Sequence, residues 1–309
     1  MKIDFLCTFA TVVEKGSIKK AAEELGMSVS SVSFQINAVE KYYGAKLLKR
    51  SATGVSLTDE GKIALKNMKL ITESIEQTRN IILRSKNKIT IASGMVGIPV
   101  LSHLQTLLKA KYPDLEVSTV LRGAHLCYKM VREGTADFAI GGDLPEDFDE
   151  EHYVAEVLGI DELVLIVPPN HELCKKDVVR MSDLMEYSIV CLTKDYGIRT
   201  SVEKALLKSG YNLDVCTYVD DFFTQLHLVS SGESVAITSL FACLKAYEVG
   251  LIKVIHLEDF ESERNIYFVT SKMVLESEKL REYADFIIKN ARKFYGDYRR
   301  RIVKMVKSC

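Results

Sequence analysis

Residues 9–61 read FATVVEKGSIKKAAEELGMSVSSVSFQINAVEKYYGAKLLKRSATGVSLTDEG, and the spacing inside this stretch decides the fold of the N-terminal part. Phe5, Phe9, Val12 and Val13 recur at helical spacing with polar residues between them. Gly16 breaks that pattern as a helix C-cap, and Ser17 can cap the start of a second helix. That second segment, Ile18–Leu25, is short and centred on Ala21 and Ala22, small enough to let two helices approach closely. Gly26 permits a tight turn, and Ser28 offers another N-cap. A third helix runs to about Tyr43, with Val32, Ile36, Val39 and Tyr43 spaced to form its buried face. Ser30, Phe34, Asn37 and Lys41 fall opposite. Short helix, glycine turn, and a second helix with an exposed polar start make a helix-turn-helix. Beyond Gly44, two β-like pieces at 46–48 and 54–57 flank Lys49, Arg50, Ser51, Ala52 and Thr53. That is the size of a small wing with a basic tip, suited to phosphate or minor-groove contact.

This stretch resembles the DNA-binding domain of LysR-type transcriptional regulators. The resemblance is carried by Phe9, Gly16, Ser17, Ala21, Ala22, Leu25, Ser28, Val32, Ser33, Gln35, Ile36, Glu40, Gly44, Leu47, Arg50, Leu57, Thr58 and Gly61 in one register. It implies that Lys20, Ser28, Val29, Ser30, Ser31, Ser33, Phe34 and Asn37, with Arg50 and Thr53 in the wing, meet double-stranded DNA. Three positions depart from the family pattern. Val29 stands where many members carry a polar residue or proline, Phe34 replaces a frequent arginine, and Thr53 replaces a frequent basic residue. Two readings stand for Phe34: contact with a thymine methyl in the major groove, or packing against a neighbouring helix. Ser28 has two readings as well, a DNA contact or a helix cap alone.

From Thr58 the chain reads as one long helix to about Ser85, with Asp59 and Glu60 near the positive end of its dipole. Ala64, Met68, Ile71, Ile75, Thr78 and Ile82 follow the alternating spacing of a coiled-coil seam. The resemblance makes this segment a dimerisation linker, so the chain is expected to form a homodimer or homotetramer. The organisation read from the sequence is a winged helix-turn-helix over 1–58, a linker helix over 59–87 and an effector-binding domain over 88–309.

From Lys88 onward, strand-like runs alternate with helical patterns, the signature of α/β units. Strands are predicted at 89–93, 115–121, 138–141, 163–167, 189–192, 215–219 and 235–238, and helices at 96–112, 125–133, 198–209 and 222–231. KYPDLEV, VREGTADFAIGG and LVSSGESVAITS resemble the family's effector domain, which is similar to type 2 periplasmic binding proteins. The resemblance implies two α/β lobes with a cleft between them, crossovers near 161–164 and 254–266, and a second lobe over about 163–260. Carried over position by position, it implies effector contacts from Ser93, Gly94, Met95, Ala124, His125, Thr193, Tyr196, Gly197, Arg199 and Thr238. Arg199 could hold a carboxylate or make a surface ion pair; His125 and Thr193 could equally be core or capping residues. A last helix is predicted at 276–295, followed by the basic tail GDYRRRIVKMVKSC, read as a helix extension or an extra DNA or subunit contact.

Composition sets the outer bounds. Residues 1–87 hold 14 Lys and Arg against 9 Asp and Glu, whereas the remainder holds 27 against 33, so a basic head sits on an acidic body. The start of the chain lacks the features of a signal peptide, and no apolar run is long enough to cross a membrane. A cytoplasmic location is expected. The seven cysteines form no C-x-x-C pair, which argues against a zinc site or an extracellular disulfide framework. Metalloprotease, nucleophile-elbow, P-loop and dinucleotide motifs are absent, so neither catalysis nor a cofactor is expected. Two alternatives remain open: a solute-binding module without DNA function, and a thiol-redox regulator using Cys174, Cys191 and Cys216.

Overall fold

A computed structural model describes residues 2–51, 54–83, 87–193, 196–208, 216–260 and 263–306. Helices α1 (Asp4–Lys15), α2 (Ile18–Leu25) and α3 (Val29–Tyr43) close over a core of Leu6, Phe9, Val12, Ala21, Ala22, Val32, Ile36 and Val39. Gly26 turns the chain from α2 to α3 at φ 62°, a left-handed conformation that costs glycine nothing. Ser17 and Ser28 cap the two helices by accepting from the amides of Lys20 and Ser31. Tyr43, placed in the buried face by its spacing, is exposed instead. Glu40 lies buried in the same turn, because its carboxylate has backbone partners there that a phenol could not serve.

The wing is a hairpin of β1 (Leu48–Ser51) and β2 (Gly54–Leu57). Its first strand begins later than the sequence reading placed it. Lys46 and Leu47 are committed elsewhere: their carbonyls accept from the Thr58 hydroxyl and amide. Arg50 therefore lies in β1 rather than at the tip, and Thr53 lies outside the described residues. Thr58 also caps α4 (Asp59–Leu83), accepting from the Gly61 amide at 2.9 Å. A Cβ on Gly61 would sit 2.0 Å from the Leu47 carbonyl oxygen, so the helix can start here only on a glycine. Ala64 and Met68 are buried in the α1–α3 core. The first two positions of the expected seam thus hold α4 to its own domain. Ile71, Ile75 and Ile82 are exposed.

The contacts divide after Leu83. In the C-terminal unit, β3 (Lys88–Ser93), α5 (Ile98–Lys111), β4 (Glu116–Leu121), α6 (Ala124–Arg132) and β5 (Phe138–Gly141) build parallel α/β units, with β3 between β4 and β5. The chain then enters β6 (Tyr153–Val167), three times the length predicted from its apolar end. Glu156, Asp161 and Glu162 mask its first part as a strand, and only pairing to a distant segment overrides them. The second group comprises β7 (Ile189–Leu192), α7 (Gly197–Lys208), β8 (Cys216–Val219), α8 (Phe222–Ser230), β9 (Ala236–Ser239), α9 (Leu240–Glu248) and β10 (Lys253–Ile255). The chain returns through β11 (Glu263–Ser271) to α10 (Glu278–Val306), which runs on as helix through Arg299 and Arg300.

Strand β6 joins the two lobes. Its first ten residues pair antiparallel with β11, which lies against β5, so the first lobe's sheet runs β4-β3-β5-β11-β6. From Leu163 it pairs instead with β9 and β10. The Ile189–Val235 bridge attaches β7, and β8 lies parallel to β7. No described helix is long and apolar enough to cross a membrane.

Candidate nucleic-acid interface and effector cleft

The first turn of α3 is polar and open. Val29, Ser30 and Ser31 are exposed, Ser33 is half-buried, and Asn37 is exposed one turn further on. The Ser28 hydroxyl is the hub of a small network: it accepts from the Ser31 amide at 3.0 Å and lies 2.9 and 2.7 Å from the Ser30 and Ser31 hydroxyls. Ser28 is therefore held as a cap, while Ser30 and Ser31 can rotate toward a ligand. Phe34 is 67% exposed, with its ring edge-on to Phe5 of α1 at 6.3 Å. It packs on a neighbouring helix and still offers most of its surface. Lys20 is exposed on α2, and the exposed Arg50 side chain has no hydrogen bond or ion pair among the described residues.

Glu40 fixes the wing to α3. One carboxylate oxygen accepts from the Leu47 and Leu48 amides at 2.9 and 3.2 Å, and the other from Lys46 Nζ at 2.7 Å. Burial pushes its carboxyl up, but Lys46 and the two amides outweigh that and hold it below its usual 4.5. Because the folded value is depressed, the stabilisation is complete at neutral pH and is lost only as pH falls below 4.5 through that value. Glu40→Ala leaves two amides unpaired and should destabilise the wing by about 3 kcal/mol. Hydrogen exchange in the full chain should show residues 46–57 losing protection while β3 and β5 keep theirs. Unchanged protection of the wing would contradict this anchoring role.

In the C-terminal unit, several expected effector residues converge. Gly94, Met95, Ala124, Tyr196 and Gly197 line a narrow cavity of about 20 Å³ between the lobes. His125 and Gly197 reach a wider one of about 820 Å³, which also takes in Asp143, Ser201, Lys204 and Tyr267. Arg264 lines both. Other placements fail. Ser93 is fully buried, and its hydroxyl donates to the Gly94 carbonyl at 2.9 Å, since the strand end is covered by the turn into α5. Thr238 is fully buried opposite Val164 in the second-lobe sheet. Thr193 is half-buried and shapes the turn, donating its amide to Val219 and accepting from the Tyr196 amide. Arg199 points into the second lobe, paired with Glu203 at 2.6 Å and lying 4.2 Å over the Tyr218 ring. Stacking on an aromatic face and an i,i+4 carboxylate leave it no role at the cleft.

The sequence reading missed the residues that join the lobes. Asp161 of β6 and Arg264 of β11 face each other in register and are both buried. Arg264 Nε and Nη2 donate to Asp161 Oδ2 at 3.0 and 2.9 Å, while Asp161 Oδ1 accepts from Ser239 and the Phe241 amide. A carboxylate inside the run LGIDELVLIV was the available signal, because such a group demands a buried partner. Across the cleft, Ser201 of α7 donates to Asp143, and Lys204 pairs with Glu146 at 2.9 Å.

The cysteines do not assemble into a redox pair among the described residues. Cys7, Cys127, Cys174, Cys191 and Cys243 take part in no disulfide. Burial pushes the Cys127 thiol up to about 12 and raises that of Cys174, against thiolate formation. On the backbone, Cys191 faces Tyr218 and Cys216 faces Ile189. Two residues along a strand and one strand across put those Cα atoms about 8 Å apart, longer than the roughly 4.4–6.8 Å between the Cα atoms of a disulfide.

Comparison with known proteins agrees with this geometry. Residues 3–62 match the bacterial regulatory helix-turn-helix protein family, lysR type, and residues 85–292 match the LysR substrate binding domain. An uncharacterised HTH-type transcriptional regulator of Methanocaldococcus jannaschii is 31% identical, over 93% of this chain and 99% of its own. Two solved structures share the fold. The effector binding domain of QuiR in complex with shikimate covers 68% of this chain and 99% of its own, at 21% identity and a TM-score of 0.59. Full-length CbnR complexed with its target DNA covers 94% and 100%, at 19% identity and a TM-score of 0.52. With a winged helix-turn-helix at one end, a two-lobed α/β unit at the other and both family matches in that order, the chain belongs to the LysR family of DNA-binding transcriptional regulators.

Proposed function

We propose that this chain works in the cytoplasm, without catalytic activity, as a homodimer or homotetramer whose grip on DNA is set by a small molecule held between its lobes. The reading divides the chain into a DNA-binding domain over 1–58, a dimerisation helix to 87 and an effector domain beyond. The observation that carries it is the open first turn of α3 together with an exposed Arg50 in the wing that has no hydrogen bond or ion pair among the described residues. Ser30, Ser31, Ser33, Phe34 and Asn37 enter the major groove with Val29, while Lys20, Arg50 and Thr53 meet the backbone. Gly94, Met95, Ala124, His125, Tyr196 and Gly197 meet the effector. Arg299 and Arg300 of α10 serve the protein's own surface, Arg299 pairing with Glu263 and Arg300 with Asp297.

Fluorescence anisotropy over a salt series separates the two classes of contact. Arg50→Ala should weaken binding equally on operator and scrambled duplexes and flatten the salt slope by roughly one unit. Phe34→Ala should instead reduce discrimination at one base pair, by about 1–3 kcal/mol. If Phe34→Ala leaves sequence preference intact and only lowers the melting temperature, its contact with Phe5 is its whole role.

A further inference from the structure

The wide cavity between the lobes carries an unbalanced charge. Nearly every charged group at its wall has an opposite partner within the protein. Arg264 is taken by Asp161, Lys204 by Glu146 and Glu263 by Arg299. Asp143 has only a share of one, because its cation, Arg264, is held more closely by Asp161. Its Oδ2 accepts from Ser201 and lies 3.6 Å from Arg264 Nη1, too far for a hydrogen bond and on a guanidinium already neutralised. Its Oδ1 has no hydrogen bond among the described residues, and the side chain is 39% exposed, on the cavity wall. Among the described residues, counting histidine as neutral, Asp143, Glu146, Glu263 and Asp161 face Arg264, Lys204 and Arg299, which leaves one negative charge over.

A second feature lies beside it. Tyr267 of β11 pairs with Gly141, two residues before Asp143, and its half-buried ring lines the same cavity. A carboxylate next to an aromatic face is the pairing that recognises a positively charged nitrogen, by Coulomb attraction and by the ring quadrupole. We infer that the cleft selects a small molecule bearing a cationic nitrogen, an alkylammonium or guanidinium, held by Asp143 and the ring of Tyr267 in the one cavity that both line. The inference rests on the cleft being the effector site, and the test separates the two.

Isothermal titration calorimetry on the full-length protein uses three probes of equal chain length: cadaverine, glutarate and pentanediol. Cadaverine should bind, and the dianion and the neutral diol should not. Asp143→Asn should cut cadaverine affinity roughly tenfold, and Tyr267→Leu roughly threefold. Thr200→Trp, which fills the same cavity, should abolish binding while the thermal melt shows the protein folded. No cadaverine binding, tighter binding of glutarate, or an affinity indifferent to Asp143→Asn overturns the inference. If glutarate binds and Thr200→Trp abolishes it, the cleft stands and only the charge assignment falls. Cadaverine binding that ignores both Thr200→Trp and Asp143→Asn removes the cleft reading as well.

Discussion

Arg264→Met should lower the stability of the C-terminal unit by about 3–5 kcal/mol. Asp161 is fully buried, and Arg264 supplies both of its charged hydrogen bonds. Without that partner the carboxylate must stay charged in a low dielectric or take up a proton, and either costs free energy. Only Ser239 and the Phe241 amide would remain to it. For a unit of this size the melting temperature should fall by roughly 10 °C. The pair joins β6 to β11 where the chain passes between lobes, so the lobes should also move more freely. Adding Asp161→Leu should recover most of the loss, because a buried pair replaced whole is often near neutral. If Arg264→Met alone melts like the wild type, the pair is dispensable to the fold.

Ile71→Asp should dissociate the oligomer, on the reading that α4 pairs with a second copy. Ala64 and Met68 serve their own domain's core, which leaves Ile71, Ile75 and Ile82, 44%, 36% and 74% exposed, as the apolar surface available to a partner helix. An unpaired charge buried in that helix pair would cost several kcal/mol, roughly a thousandfold or more in the dimer dissociation constant. Sedimentation equilibrium should show monomer where the wild type is dimeric, and operator affinity should fall with it, because one half-site alone is gripped weakly. Ile63→Asp is the control. Ile63 is 69% exposed outside the seam and should leave the assembly intact. A mutant that sediments like the wild type would remove α4 as the pairing element.

Local rules made the N-terminal domain legible. Glycine turns, serine caps and helical periodicity act within four residues, so Gly16, Ser17, Gly26 and Ser28 could be assigned from the sequence, and the structure places each as expected. Tyr43 was misplaced because periodicity weighs only hydrophobicity, and the turn belongs to Glu40, whose backbone partners are seven and eight residues away. Gly94 and Gly197, which the family resemblance singled out, do line one cavity with Met95, Ala124 and Tyr196.

What the sequence determined by itself was a helix-turn-helix with its caps, a wing, a long helix with an apolar stripe, and an alternation of strands and helices that could fold only as α/β. The periodicities and turn residues that encode these are local, and no distant contact is needed to read them. The tertiary structure alone decided that the first ten residues of β6 are a strand, that Ser93 and Thr238 are buried, that Arg199 turns away from the cleft, and that Asp161 meets Arg264 103 positions away. Each of these depends on which segments become neighbours. Burial, charge pairing and strand pairing are properties of neighbours in space, and a side chain's own chemistry does not say which of its possible partners the fold will bring to it.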